Sequence, residues 1–384
     1  MGMFASATAH ITGVQLLTFL ILFGLGTLFG RVLQIPKRNR PTSPATPLLV
    51  KASTLPKKKP TKYIVITSIF PPTQAVIDFA QKEDWQVVVV GDKKTPKDWT
   101  CENVIYLSPE DQEKLGYEIH KLLPWNHYGR KMIGYVYAIQ HGAEYIYDTD
   151  DDNIPLKNWY TFEGAVSDIE TLSNNDFVNI YRRFTGALVW PRGFPLQRVL
   201  TEIPTVSSRQ DAKVGVWQFL ANEDPDVDAI YRLTNNTPIY FNNRDPFLLA
   251  KGSVCPFNSQ NTVFNKEAFP LLFLPSYVTF RFTDILRGLV AQPILWNADL
   301  HLGFAEATVI QKRNPHDYMK DFESELPVYK YAEKVIDLTK ETVVKTSNMS
   351  ENLTRAYETF IEHGIAEERE AALLAAWLRD INKK

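Results

Sequence analysis

Four carboxylates fall within five positions, at Asp148, Asp150, Asp151 and Asp152, directly after the strand-prone residues Tyr145, Ile146 and Tyr147. Like charges this close repel unless a cation offsets them, and hard divalent ions such as Mg²⁺ or Mn²⁺ take such oxygens together with substrate phosphates. The chemistry this spacing supports is a metal site for a nucleotide diphosphate. The alternative is a solvated turn in which Asp151 or Asp152 caps the next element, although an abrupt switch from apolar strand to four acids is unusual for a turn. Arg130 and Lys131 lie at the start of the segment that feeds this strand and could reach phosphate oxygens, or could simply be solvated. Asn126 and His127 precede them as either helix caps or donor-facing polar groups. Farther along, Asp284 and Arg287 stand three apart in RFTDILRG, a charged island between two apolar runs. They are either a helical salt bridge or, for Asp284, a general base for an acceptor hydroxyl. Asp224, Asp226 and Asp228 read as a turn and helix cap.

These groups need strands and helices to hold them. Residues 62–69 predict a strand closed by Pro71 and Pro72, and 73–83 a helix capped by Thr73. WQVVVV at 85–90 predicts a second buried strand turned by Gly91 and Asp92, and 104–107 a third. Ser108 with Asp111 fits a capping box. Residues 130–141 predict a helix that ends near Gly142 and leads into the Tyr145 strand. Strands alternating with helices imply a mostly parallel, Rossmann-like α/β sheet, with ligands bound beyond the carboxyl ends of its strands. The turn after Ile69, the Gly91-Asp92 turn and the acidic cluster should then meet in one crevice. From residue 177 the pattern is less regular, and 353–381 is an amphipathic helical region.

With 384 residues, 45% apolar and 22% charged, the chain has an ordinary globular composition. Cys101 and Cys255 are too few for a disulfide framework. The first 30 residues hold no Lys, Arg, Asp or Glu, and 11–30 is an apolar run of membrane-spanning length, read as an uncleaved anchor in preference to a signal peptide. Residues 31–62 carry nine Lys or Arg, six prolines and no acids, a stem that cannot bury a core. The remainder has 33 basic against 44 acidic residues, a formal net charge of −11, which argues against nucleic acid as a partner. Basic residues after the span place the following domain in the cytosol by the positive-inside rule. Sequons at Asn235, Asn348 and Asn352 point instead to the lumen.

Six blocks together resemble the STELLO-type glycosyltransferase family: residues 123–153, VVVVGDKKTP, WPRGFPL, DPDVDAIYRLT at 224–234, PFNSQNTVF at 256–264 and RFTDILRG. The region 135–152 is also similar, more distantly, to reversibly glycosylated polypeptides, which bind nucleotide sugars through a DDD motif in a GT-A fold. The resemblance implies a GT-A-like domain over 63–330 and a Golgi membrane protein of single-pass type II, while the amphipathic pattern sets a C-terminal helical region over 331–384. It implies a UDP-sugar donor, a glycan or glycoconjugate acceptor, and Mn²⁺ or Mg²⁺. Asp150, Asp151 and Asp152 match the DDD motif, and Asp92 lies at the usual nucleotide-contacting strand end. By the same analogy Asp150 and Asp152 hold the metal and His316, or failing that His301, completes its shell. A non-catalytic assembly factor for another glycan synthase and a cytosol-facing nucleotide-sugar mutase are the rival readings.

Overall fold

The structure, a computed structural model, describes residues 60–384 apart from 163, 201–204, 236, 315 and 384. The expected membrane span at 11–30 and nearly all of the stem lie outside the described residues. Among the described residues no helix is long and apolar enough to cross a membrane.

Runs of β-branched residues buried on both faces make β1 (Lys62–Thr67) and β2 (Trp85–Val90) interior strands. Between them α1 (Gln74–Phe79) starts at Thr73, whose side chain accepts from the Val76 N–H. β3 (Val104–Leu107) precedes α2 (Pro109–Lys114), where Ser108 both accepts from the Asp111 N–H and donates to the Asp111 carboxylate. α3 (Glu118–Leu122), α4 (Lys131–Gln140) and β4 (Tyr145–Thr149) complete this half. β1 pairs in parallel with β2 and β4, and β2 with β3. A Cβ on Gly134 would come within 2.6 Å of Val65 and 2.8 Å of Val90, so glycine lets α4 lie directly on the sheet.

The second half departs from a mostly parallel sheet. β5 (Asn153–Pro155), β6 (Ala165–Ser173), α5 (Tyr181–Phe184), β7 (Val206–Asn222), α6 (Ala229–Thr234), β8 (Phe247–Leu249), β9 (Asn261–Asn265), α7 (Thr283–Asn297) and β10 (His301–Gln311) follow in order. All ten strands form one mixed sheet, ordered β3-β2-β1-β4-β9-β7-β6-β8-β10-β5 with a further β7–β10 pairing. β9 runs antiparallel to both β4 and β7, whereas β7 and β10 are parallel. Between β5 and β9 the α-helices among the described residues are the short α5 and α6, and without longer crossover helices most returning strands pair antiparallel.

One core packs α4 and α7 against Tyr63, Val65, Val88, Val90 and Ile146, and a second packs Val76 and Phe79 against Ile64, Ile66, Val87, Val89 and Tyr147 on the opposite face. The strand alternation therefore serves both faces. α8 (Tyr318–Thr342), α9 (Met349–Glu362) and α10 (Arg369–Asn382) close the first core. α8 runs through the expected boundary at 330, so the C-terminal helices are part of the same packed unit. α10 is tied to α3, because the Asp380 carboxylate accepts from the Ile119 N–H at 2.9 Å.

Glu370 on α10 is fully buried and accepts from the Tyr277 N–H, and burial pushes its carboxyl up to about 8. The folded state therefore holds a proton that the unfolded chain releases near the ordinary glutamate value. The stability this contributes is complete below that value and is lost as pH rises through about 8, with a slope of up to about 1.4 kcal/mol per pH unit. Glu370→Gln is expected to flatten the pH dependence of urea denaturation between about pH 5 and 8. An unchanged slope in the variant would refute this.

Candidate active site

The directions of the strands decide where loops meet. β4 is antiparallel to β9, β9 to β7, and β7 is parallel to β10, so β1, β2, β4 and β10 all end at the same edge of the sheet. Their following loops carry Ser68 to Phe70, Asp92, Asp150 to Asp152, and Gln311 with Arg313. These residues line one cleft of about 410 Å³, together with Asn126 to Tyr128, Arg192, Asp226, Gln260, Phe280, Arg281, Asp284, Asn314 and His316. β5 pairs with β10 immediately after the acids, which pins their loop between two strand ends.

The four clustered acids are not equivalent. Asp148 is fully buried outside the cleft, 2.7 Å from Lys131 Nζ and 2.8 Å from Arg287 Nη1. Asp150 stands at the cleft floor, where its Oδ1 accepts from the Tyr128 hydroxyl at 2.7 Å and from Lys131 Nζ at 3.0 Å. Asp151 accepts from the Ser68 hydroxyl, and burial pushes its carboxyl up to about 6. Both oxygens of Asp152 accept from the Gln311 side chain at 3.2 Å; burial and then the Asp150 charge push it up to about 7. Burial is the first cause of both shifts, and the neighbouring Asp150 charge adds to each.

The arginines lining the cleft offset these acids only in part: Arg313 draws Asp152 down, but each arginine is paired with a carboxylate elsewhere. Arg192 sits 2.8 Å from Asp226 and 2.9 Å from Asp284, Arg281 is 2.8 Å from Glu325, and Arg313 is 3.0 Å from Asp224. Lys131, behind the floor, is shared by Asp148 and Asp150. Burial would raise Asp284, but Arg192, with Arg287 and Arg281 adding to it, holds the carboxyl below the usual carboxylate range.

Several expected roles change with this geometry. Arg130 does not reach the cleft: it is fully buried, donating to Gln112 at 3.0 Å and stacked 3.5 Å over Trp125. Lys131 is likewise spent on two carboxylates, so it positions Asp150 and is no open phosphate contact. Asp284 and Arg287 do not bridge each other, since Arg287 turns to Asp148 and Asp284 to Arg192. Asp284 faces the cleft, but a carboxyl held this acidic is a poor base near neutrality. His316 lines the cleft with Nδ1 3.0 Å from Asp321, whereas His301 lies at the start of β10, at the other end of that strand, near Lys213 and Gln210. Asp92 is where it was expected, its carboxylate accepting from the Lys93 and His127 N–H groups. Asn235 and Asn348 are exposed, but Asn352 is fully buried and bonded to Val344, which closes that sequon to a glycan. Asp228 caps α6 as read from the sequence. Ser68, Gln311 and Arg192 were not anticipated as site residues; a polar residue ending a buried strand was the available signal for Gln311.

A mixed α/β domain with an acid-rich cleft at its strand ends defines the class of fold. The family model described as STELLO glycosyltransferases matches residues 281–384. Over 351 residues the chain is 30% identical to the protein named "Probable glycosyltransferase STELLO2" of Arabidopsis thaliana, covering 83% of this chain and 44% of that protein. It is 29% identical over 344 residues to "Probable glycosyltransferase STELLO1" of the same plant, with the same coverage. These findings bear out the resemblance to the STELLO glycosyltransferases, and the chain spans less than half the length of the two relatives. The family match reaches the C-terminal helices, which none of the six blocks had included. Glucosyl-3-phosphoglycerate synthase from Mycobacterium tuberculosis, solved with phosphoglyceric acid, overlaps 73% of this chain and 79% of its own at 9% identity and a TM-score of 0.34, too low a likeness to carry an argument.

Proposed function

We propose that this chain is a GT-A-like glycosyltransferase that takes a nucleotide sugar, most simply a UDP-sugar, with a divalent cation, Mn²⁺ or Mg²⁺. The observation that carries this reading is the charge balance of the cleft: three carboxylates crowd its floor, and every arginine lining it among the described residues is already paired. A diphosphate can settle there only if a cation comes with it. Asp150 and Asp152 fit that ion in the manner of sites that use one or two carboxylates and leave the remaining positions to water and phosphate. When bound, it would supply Lewis-acid stabilisation of the departing diphosphate. The chain's own part is orientation. Lys131 and Tyr128 fix Asp150, Gln311 fixes Asp152, and Ser68 fixes Asp151. Asp92, held by two N–H groups at the end of β2, is placed for the nucleoside, and His316 is at most an outer contact. A Golgi location, a lumenal domain behind the 11–30 anchor, glycans on Asn235 and Asn348, and a glycan-synthase partner belong to the same proposal.

One observation favours a second, non-catalytic reading as an assembly factor: no three His, Cys, Asp or Glu side chains among the described residues form a preassembled metal cluster. Titrating the full-length chain with UDP-sugars, with and without Mn²⁺, separates the two. The enzyme reading expects Mn²⁺ to tighten binding at least tenfold and slow donor hydrolysis to accompany it. Binding indifferent to Mn²⁺, with no hydrolysis, would leave the non-catalytic reading.

A further inference from the structure

The same charge balance bears on what the cleft accepts besides the donor. Beyond the acidic floor, the wall contributed by Arg192, Asp226, Arg281 and Asp284 is polar but compensated. Arg192 is shared between two carboxylates, and Arg281 is held by the fully buried Glu325. A guanidinium whose field is cancelled at under 3 Å offers little attraction to an incoming anion, and the acid-rich floor, with three carboxylates to the one Lys131 cation that Asp148 also shares, repels it. The mouth has a different character. Phe280 is 53% exposed and Phe70 40% exposed, both on the rim of this cleft. The Phe280 ring is fixed by edge contacts with His127 at 5.9 Å and Tyr128 at 6.1 Å, which leaves the ring steady enough to stack. Aromatic rims beside hydrogen-bonding but compensated walls suit a polyhydroxylated molecule with a C–H face, not a carboxylate or phosphate ester.

Resting on the glycosyltransferase reading, we propose that the acceptor is an uncharged carbohydrate, and that acidic acceptors are rejected because the arginines they would need are already neutralised by this chain's own carboxylates. Discrimination then comes from what the wall withholds as much as from what it offers.

The test uses the full-length chain with UDP and Mn²⁺, measuring by ligand-observed NMR the binding of neutral trisaccharides in gluco, galacto and manno configuration and of the corresponding tri-uronates. At least one neutral trisaccharide is expected to bind ten times or more tighter than its tri-uronate. Asp226→Asn, which frees part of the Arg192 charge, should narrow that gap at least threefold. Equal or tighter binding of the tri-uronates by the unmodified chain overturns the proposal, and so does failure of every neutral trisaccharide to bind, whether or not the Asp226 variant folds. Mn²⁺-dependent UDP binding, read in the same samples, reports separately on the glycosyltransferase reading. Its loss sinks that reading, while its presence alongside a preference for acids sinks only the inference about the acceptor.

Discussion

Alanine at both Asp150 and Asp152 is expected to lower Mn²⁺-dependent UDP-sugar binding and turnover by about 100-fold or more while leaving the fold at least as stable as before. The two halves of that expectation share one cause. Both carboxyls are half-buried, desolvation is the largest reason each is raised, and the Asp150 charge is the next cause for Asp152. Removing them discards an electrostatic cost that a cation would otherwise offset, as is common where function and stability compete. Calorimetric titration with Mn²⁺ and UDP, together with urea denaturation of the same samples, reads both. Retained metal-dependent binding would reject Asp150 and Asp152 as the ion's ligands, and a large fall in stability would mean that they serve the fold instead.

Arg287→Met should do the opposite, with its principal damage in stability. Arg287 and Asp148 are both fully buried, and Arg287 Nη2 also donates to the Asn258 carbonyl at 3.0 Å. Taking away the guanidinium leaves the fully buried Asp148 with Lys131 as its remaining cation among the described residues, and breaking such a pair costs about 3–5 kcal/mol. The urea midpoint of the full chain measures the loss. Because Lys131 also fixes Asp150, donor binding should weaken as well, though less than in the double alanine variant. A change in stability below about 1 kcal/mol would show that Lys131 suffices to hold Asp148.

The two variants also show what could be read before any coordinates. The strands at Lys62, Trp85, Val104 and Tyr145, the caps at Thr73 and Ser108, and the crevice at the strand ends all followed from local pattern, because apolar alternation and turn chemistry act over a few residues. The functional division among the four acids did not. In a strand Ile146 and Asp148 point to the same face, and Ile146 is core, so alternation alone could have placed Asp148 inside. Its partner Arg287, 139 positions away, could not be found that way. The same holds for Arg192, whose ties to Asp226 and Asp284 span 34 and 92 positions. The mostly parallel sheet was an extrapolation from its first four strands, and it failed where crossover helices run out.

The tie between Asp380 and the amide of Ile119 crosses 261 positions. During synthesis, the opening of α3 must wait for α10 to leave the ribosome before its amide finds this partner. The earliest-made strands can pair beforehand, but the loop that delivers Asn126 and His127 gains its full backing only once α10 has packed on α3. Folding of the first half of the sheet is thereby coupled to synthesis of α10, and a product truncated before α10 would expose Tyr135 and the neighbouring core that Trp377 covers.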